Sequence, residues 1–209
     1  MLYTNLCNFR CPFCHNAQLA LGKGTGAISQ EELIKMISSR QGFMDGVVIT
    51  GGEPTLQPDL EDFIIEIRKT KLLIKLDTNG SHPEVLLKLL VNKRLDYVAM
   101  DIKTSWRKYR VAAGVDIDST KMMRSIELIK KSGIDSEFRT TCVPSLVDEN
   151  DILEISKVVG KGSKYTLQQF SPQSTLEPAF GKIEPYTREM FLSFKEIASM
   201  NVGSCRILV

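Results

Sequence analysis

Three cysteines packed into eight residues, Cys7-Asn-Phe-Arg-Cys11-Pro-Phe-Cys14, are the part of this sequence best equipped for chemistry. They lie too close together for a sensible disulfide framework, and the total of five cysteines is odd, so they read as metal or cluster ligands in a reducing compartment. Three thiolates on one tight loop can hold three irons of a cubane cluster and leave the fourth iron without a protein ligand, whereas an electron-transfer cluster is usually held by four. An open iron implies a bound small molecule. The competing reading is a structural zinc site, which takes four ligands. His15 directly follows Cys14 and is badly placed to share its metal, so zinc would draw its fourth ligand from Cys142 or Cys205.

Other polar clusters recur after apolar runs. In Gly51-Gly52-Glu53-Pro54 the glycines let backbone approach a ligand closely, and Glu53 can accept hydrogen bonds from an ammonium group. Alone, that segment is an ordinary strand-to-helix turn. Asp77-Thr78-Asn79-Gly80 and Asp101-Ile102-Lys103 are, separately, an Asx turn and a solvated charge pair; together they put two carboxylates and an ammonium at the same end of adjacent strands. Arg139 is either a further cation for that site or a surface residue. Trp106, Tyr109, Met122 and Met123 read as core, and His82 as a surface histidine.

Positioning these residues falls to alternating strands and helices, the pattern of βα units and a parallel sheet. Strands are expected near Leu2–Asn5, Gly46–Thr50, Leu72–Asp77, Tyr97–Asp101, Glu137–Val143 and Tyr165–Phe170. Cys205–Val209 is either an edge strand or a closing segment. Ser29 with Glu32 makes a capping box, Asp59 and Asp148 are expected as caps, Pro83 fits a first helical turn, and Ser119 opens a helix that stops at Gly133. The closing helix runs from about Thr187 to Met200. Six βα units in 209 residues fall short of the roughly 250 of a closed eight-unit barrel, so a partial, open (β/α)6 barrel is expected as a single domain over residues 1–209, with a doubly wound sheet as the other possibility. Only six residues precede Cys7, barely enough for the first strand.

Composition excludes several classes. With 43% apolar and 25% charged residues the chain is globular, and a net charge of +2 without long like-charge runs gives no electrostatic support for a nucleic-acid or membrane-surface role. The first residues lack the charged and apolar regions of a secretory leader, and no apolar run approaches the roughly 18 residues of a membrane span. A cytoplasmic location is the expectation.

The cysteine triplet, with Phe13 just before its last member, resembles the signature of radical S-adenosylmethionine (SAM) enzymes. The longer string from Cys7 to His15 and Asn16 is similar to that of glycyl-radical-enzyme activases, above all the short activators of anaerobic ribonucleoside-triphosphate reductase. The likeness runs from Cys7 to about Pro172. It implies a [4Fe–4S] cluster on Cys7, Cys11 and Cys14, and SAM held by its amino group at Gly51, Gly52 and Glu53 and by its carboxylate at Lys103, with Arg139 as a second partner. Phe13, His15 and Asn79 belong to the same implied site, and Asp77, Thr78 and Asp101 are implied to hold a monovalent cation beside it. In the family, SAM cleavage gives a 5′-deoxyadenosyl radical that takes hydrogen from a glycine Cα of a partner enzyme. Formate-lyase activases carry a histidine near Gln168-Gln169-Phe170-Ser171-Pro172, and this chain has none, which turns the expectation toward an anaerobic ribonucleotide reductase. Because the two other cysteines, Cys142 and Cys205, cannot support a second four-cysteine cluster, flavodoxin or ferredoxin is the implied electron donor. The alternatives are a small-molecule radical SAM enzyme such as a carboxy-deazaguanine synthase, disfavoured by the Cys14-His15-Asn16 context, and a zinc-binding protein without catalysis.

Overall fold

The computed structural model describes residues 1–40 and 42–209. Seven strands form one parallel sheet in strict chain order: β1 (Leu2–Thr4), β2 (Gly46–Gly51), β3 (Leu73–Thr78), β4 (Tyr97–Asp101), β5 (Asp135–Cys142), β6 (Lys164–Gln169) and β7 (Ser204–Leu208). Between them run α1 (Ala17–Ala20), α2 (Gln30–Ser39), α3 (Leu60–Arg68), α4 (Pro83–Val91), α5 (Tyr109–Ala113), α6 (Ser119–Ser132), α7 (Glu149–Val159) and α8 (Arg188–Ser199), with 3-10 turns at Pro54–Leu56 and Pro178–Lys182. The strand order never reverses, which removes the doubly wound alternative. β1 and β7 are the two unjoined edges, so the sheet is an open barrel. The C-terminal segment is a true seventh strand, in parallel register with β6 from Lys164↔Ser204 to Gln168↔Leu208.

Alternation along each strand separates the two faces. On β3, Ile74 and Leu76 are buried toward the helices while Lys75 and Asp77 face inward; on β5, Phe138, Thr140 and Cys142 pack outward while Glu137, Arg139 and Thr141 face inward. A parallel sheet covered on both faces reads as continuous apolar runs. Here only the outer face is apolar. The core therefore lies between sheet and helices, with Ile64, Ile67, Leu86, Met122, Ile126, Ile152, Phe191 and Phe194 against it. Tyr109 is fully buried, stacked on Trp106 with ring centroids 5.1 Å apart, as core residues were expected to be.

The expected caps hold in part. Ser29 with Glu32 and Asp148 with Asp151 both form reciprocal capping boxes. Asp59 sits at the N-cap position of α3 without capping it; its carboxylate accepts from Gln30 Nε2 at 2.5 Å. Asp118 caps α6, accepting from Thr120 N, so Ser119 is the first helical residue. Helix α5 has too few residues to leave a periodic pattern, and it ends at Gly114 in the left-handed region, φ +67°.

Two glycines decide where the cysteine loop can lie. A Cβ on Gly52 would stand 2.0 Å from the backbone oxygen of Leu6, and one on Gly114 would stand 2.1 Å from that of Arg10. Loop and scaffold are joined there by hydrogen bonds from Glu53 N to Leu6 O (2.8 Å) and from Arg10 N to Ala113 O (2.7 Å). Because Gly52 meets backbone, not a flexible side chain, Gly52→Ala should lower unfolding stability by about 1–3 kcal/mol, read from the urea midpoint at unchanged m-value. A variant as stable as the wild type would refute the clamp.

Candidate functional site

The loop bearing Cys7, Cys11 and Cys14 crosses the C-terminal ends of the strands. Phe9, Cys11 and Phe13 are buried in the core, and the Arg10 guanidinium folds back onto the loop, Nη1 donating to the Cys7 carbonyl at 2.5 Å and to the Phe9 carbonyl at 2.8 Å. All three cysteines line a cavity of about 430 Å³. Burial raises the Cys7 thiol above its ordinary range and pushes Cys11 up to about 12, with Lys103 opposing the shift in both. Ligation as thiolate must work against that burial.

Every residue singled out for the site lines this same cavity: Phe13, His15, Gly51, Gly52, Glu53, Asp77, Thr78, Asn79, Asp101, Lys103 and Arg139 stand around it with the cysteines. Their local roles differ from expectation in three places. First, Gly52 is dictated by the crossing of the Leu6 backbone, so the close approach it permits is to the protein's own chain. Second, Glu53 is fully buried and already receives four hydrogen bonds. Its Oε1 accepts from Thr55 N (3.1 Å), Thr55 Oγ1 (2.5 Å) and Thr78 Oγ1 (2.7 Å), and its Oε2 accepts from Asn79 N (2.6 Å). Only Oε2 retains room for a ligand's ammonium group.

Third, Asp77, Thr78 and Asp101 do not converge on a cation. Thr78 Oγ1 turns to Glu53, and protein cations take the carboxylates: Arg139 Nε donates to Asp101 Oδ1 (2.8 Å), Arg139 Nη1 to Asp77 Oδ2 (3.1 Å), and Lys103 Nζ to Asp101 Oδ2 (3.0 Å). Burial alone would raise the Asp101 carboxyl, but Arg139 and Lys103 override it and hold it at about 2. The same pairing raises Lys103 against the opposing effect of burial. Lys103 spends one of its three N–H donors on Asp101, leaving the others for a ligand.

Sequence reasoning noted the end of the sixth strand, Gln168 to Pro172, but gave the opposite wall no site role. Thr141 on β5 and Gln168 and Gln169 on β6, with Phe170 and Ser171, complete the cavity lining. His82 is half-buried rather than on the surface, its Nδ1 lying 3.0 Å from Thr55 Oγ1 behind Glu53. The inward alternation of β5 and β6 was the signal for Thr141 and Gln168; nothing local announced His82.

The donor set fits an iron–sulfur cluster with an open iron and a charged small molecule beside it. Three sulfurs reach the cavity, while Cys142 is buried on the helix-facing side of β5 and neither it nor Cys205 lines the cavity, which removes the fourth ligand a zinc site would need. Among the described residues, no group of three or more His, Cys, Asp or Glu side chains is arranged to hold a single metal ion. Among the described residues, two buried acceptors, Asp77 Oδ1 and Gln169 Oε1, lack hydrogen-bond partners, though Lys75 Nζ stands 3.5 Å from the former. Unsatisfied polar atoms in a cavity wall are what a polar ligand would complete.

An open parallel barrel with a three-cysteine loop over its C-terminal mouth defines a class of cluster-dependent enzymes. The match of residues 1–156 to the radical SAM superfamily is consistent with it, and the chain belongs to that family. Its members use a [4Fe–4S] cluster and SAM. A protein of Methanocaldococcus jannaschii named "Putative glycyl-radical enzyme activating enzyme" is 40% identical over 85% of this chain and 75% of its own length. A "Probable GTP 3',8-cyclase" of Pyrococcus abyssi is 29% identical over 89% of this chain and 66% of its own. In fold, Streptococcus suis SuiB bound to S-adenosylmethionine superposes with a TM-score of 0.72 at 16% identity, covering all of this chain and 49% of SuiB. Among the described residues, no helix is long and apolar enough to cross a membrane.

The Asp101 pairing has a pH signature. A carboxyl lowered to about 2 in the folded protein, against an ordinary 3.8, stabilises the fold above about pH 4, and that contribution is lost as pH falls toward 2. Asp101→Asn, which leaves Arg139 and Lys103 short of a counter-charge, should cost about 2 kcal/mol, the worth of that shift. By urea denaturation the deficit should be constant from about pH 5 to 8 and shrink below about pH 4. A deficit that grows on acidification would contradict the pairing.

Proposed function

We propose that this radical SAM enzyme is a glycyl-radical-enzyme activase whose partner is an anaerobic ribonucleotide reductase. The observation that carries the reading is the chemistry of the wall facing the cysteines. Thr141, Gln168, Gln169, Phe170 and Ser171 are neutral, and among the described residues the only Lys or Arg side chains lining the cavity are Lys103 and Arg139, both paired with carboxylates. Side-chain amides and hydroxyls suit the backbone of a peptide loop. A nucleoside triphosphate would demand free cations. The unjoined edges β1 and β7 leave a lateral way in for such a loop, and the relative from M. jannaschii, named as an activating enzyme, supports the same substrate class. The similarity to GTP 3',8-cyclases keeps a small-molecule substrate as the second reading.

In this reading Cys7, Cys11 and Cys14 hold the cluster. Lys103 takes the SAM carboxylate while Asp101 fixes its position. Glu53 Oε2 takes the amino group, and Arg139 chiefly ties Asp77 to Asp101. When bound, cluster and SAM supply a one-electron cleavage that ends in hydrogen abstraction from a glycine Cα. The chain's own part is to orient and to shield, and no side-chain acid or base is required. A flavodoxin or ferredoxin supplies the electron, and the cytoplasm is the setting.

Three measurements test this. Anaerobic reconstitution should give about four irons and four sulfides per chain, lost in Cys7→Ala, Cys11→Ala or Cys14→Ala and retained in Cys142→Ala and Cys205→Ala; loss in Cys142→Ala would defeat the open-iron assignment. Lys103→Ala should keep the cluster and weaken SAM binding by roughly ten- to hundredfold, the worth of one charge-assisted hydrogen bond. With SAM and a one-electron reductant, the protein should raise a doublet electron paramagnetic resonance signal on the reductase, collapsing to a singlet when the glycine is deuterated. No doublet, alongside consumption of a nucleotide in step with 5′-deoxyadenosine, would hand the function to the second reading.

A further inference from the structure

The three cysteine sulfurs are not equivalent. Cys7 Sγ receives a hydrogen bond from Phe9 N (3.3 Å) and a second from Asn79 Nδ2 (3.8 Å), whereas no hydrogen bond reaches the sulfurs of Cys11 and Cys14 among the described residues. Asn79 comes from the end of β3, far from the cysteines in sequence, and is buried. A side chain brought from another strand to one sulfur of three needs a reason.

The orientation of the Asn79 amide is fixed by its neighbours. Its Oδ1 accepts from Ser81 N (2.9 Å) and Ser81 Oγ (2.6 Å), and a backbone N–H can only donate, so the oxygen must face Ser81 and the nitrogen must face Cys7. Asn8 closes the ring, accepting from Asn79 Nδ2 at 2.9 Å and donating from its own Nδ2 to Ser81 Oγ at 2.9 Å. Asn79 N is tied to Glu53 Oε2. The donor aimed at Cys7 is therefore held at every other polar atom and cannot rotate away without breaking several hydrogen bonds.

We infer that Asn79 is a positioning residue for the Cys7 ligand: its amide donates to the sulfur, stabilises the extra negative charge that arrives on one-electron reduction, and so sets the cluster's reduction potential upward. Hydrogen bonds to ligand sulfurs tune cluster potentials in this direction. The inference rests on the reading that Cys7 holds the cluster. It also reassigns Asn79, whose side chain serves the sulfur and not the SAM molecule.

The test is a reductive titration of the reconstituted protein without SAM, the electron coming from dithionite and the reduced cluster counted by its paramagnetic signal. Asn79→Asp keeps an acceptor for Ser81 but replaces the N–H donor with a carboxylate oxygen. At a fixed poise its ratio of reduced to oxidised cluster should fall by roughly tenfold at unchanged iron and sulfide content. Ser81→Ala removes the hydroxyl's bonds to Asn79 Oδ1 and from Asn8 Nδ2 but keeps Ser81 N on Oδ1 and leaves the donor in place, so its ratio should stay within about twofold of the wild type. If Asn79→Asp loads poorly, Asn79→Ala is titrated in its place with the same expected direction. A fully loaded variant with the wild-type ratio overturns the inference, as does an equal fall in Ser81→Ala. Failure of the wild type to bind iron and sulfide would instead overturn the ligand assignment.

Discussion

Backbone pressed against backbone is the contact on which this structure turns. The cysteine loop lies over the barrel mouth because Gly52 lets the Leu6 carbonyl come where any side chain would stand, and because Gly114 does the same for Arg10. Leu6 itself sits at φ +76°, a conformation a leucine adopts only when its surroundings enforce it. Hydrogen bonds from Glu53 N and to Ala113 O hold the two ends. Three sulfurs spread along one loop acquire a fixed geometry through these fastenings, through the bonds from Cys7 N to Ala20 O and from Glu177 N to Pro12 O, and through the burial of Phe9, Cys11 and Phe13.

Electrostatics then organises the interior. A barrel filled by layers of branched apolar residues is a packed core; this one carries Lys75, Asp77, Asp101, Glu137 and Arg139 on its inner face, joined by ion pairs. Burying so many charges is tolerable only because each is paired, and the pairing leaves Lys103 at the mouth with spare donors and a raised proton affinity. Arg139 carries the link between two strands' carboxylates, so the position of Lys103 depends on a residue one strand further on.

Much of this was legible in the sequence. The cysteine spacing, the Gly-Gly-Glu-Pro turn and the two Asp-bearing strand ends all stand on one cavity, because strand ends in a parallel sheet of sequential order necessarily gather at one rim. What could not be read were interactions between segments distant in sequence. Nothing near Gly52 foretells that Leu6 will cross it, so its glycine was assigned to ligand approach; nothing near Asp101 foretells Arg139, so its carboxylate was assigned to a cation. Asp59 shows the same limit in small: a residue suited to capping is claimed by Gln30 from another helix. The strand β7 was ambiguous because five terminal residues carry too little pattern to separate an edge strand from a tail.

Glu53 and Asn79 link the two halves of the site. The carboxylate that faces the ligand side holds the backbone N–H of the residue whose side chain reaches Cys7. A ligand ammonium at Glu53 Oε2 would share that oxygen with Asn79 N, whose side chain is held by the ring of Ser81 and Asn8. Thr78, which braces Glu53, and Ser81, which braces Asn79, lie three residues apart, so one short turn after β3 fixes both the carboxylate on the ligand side and the amide that reaches the sulfur.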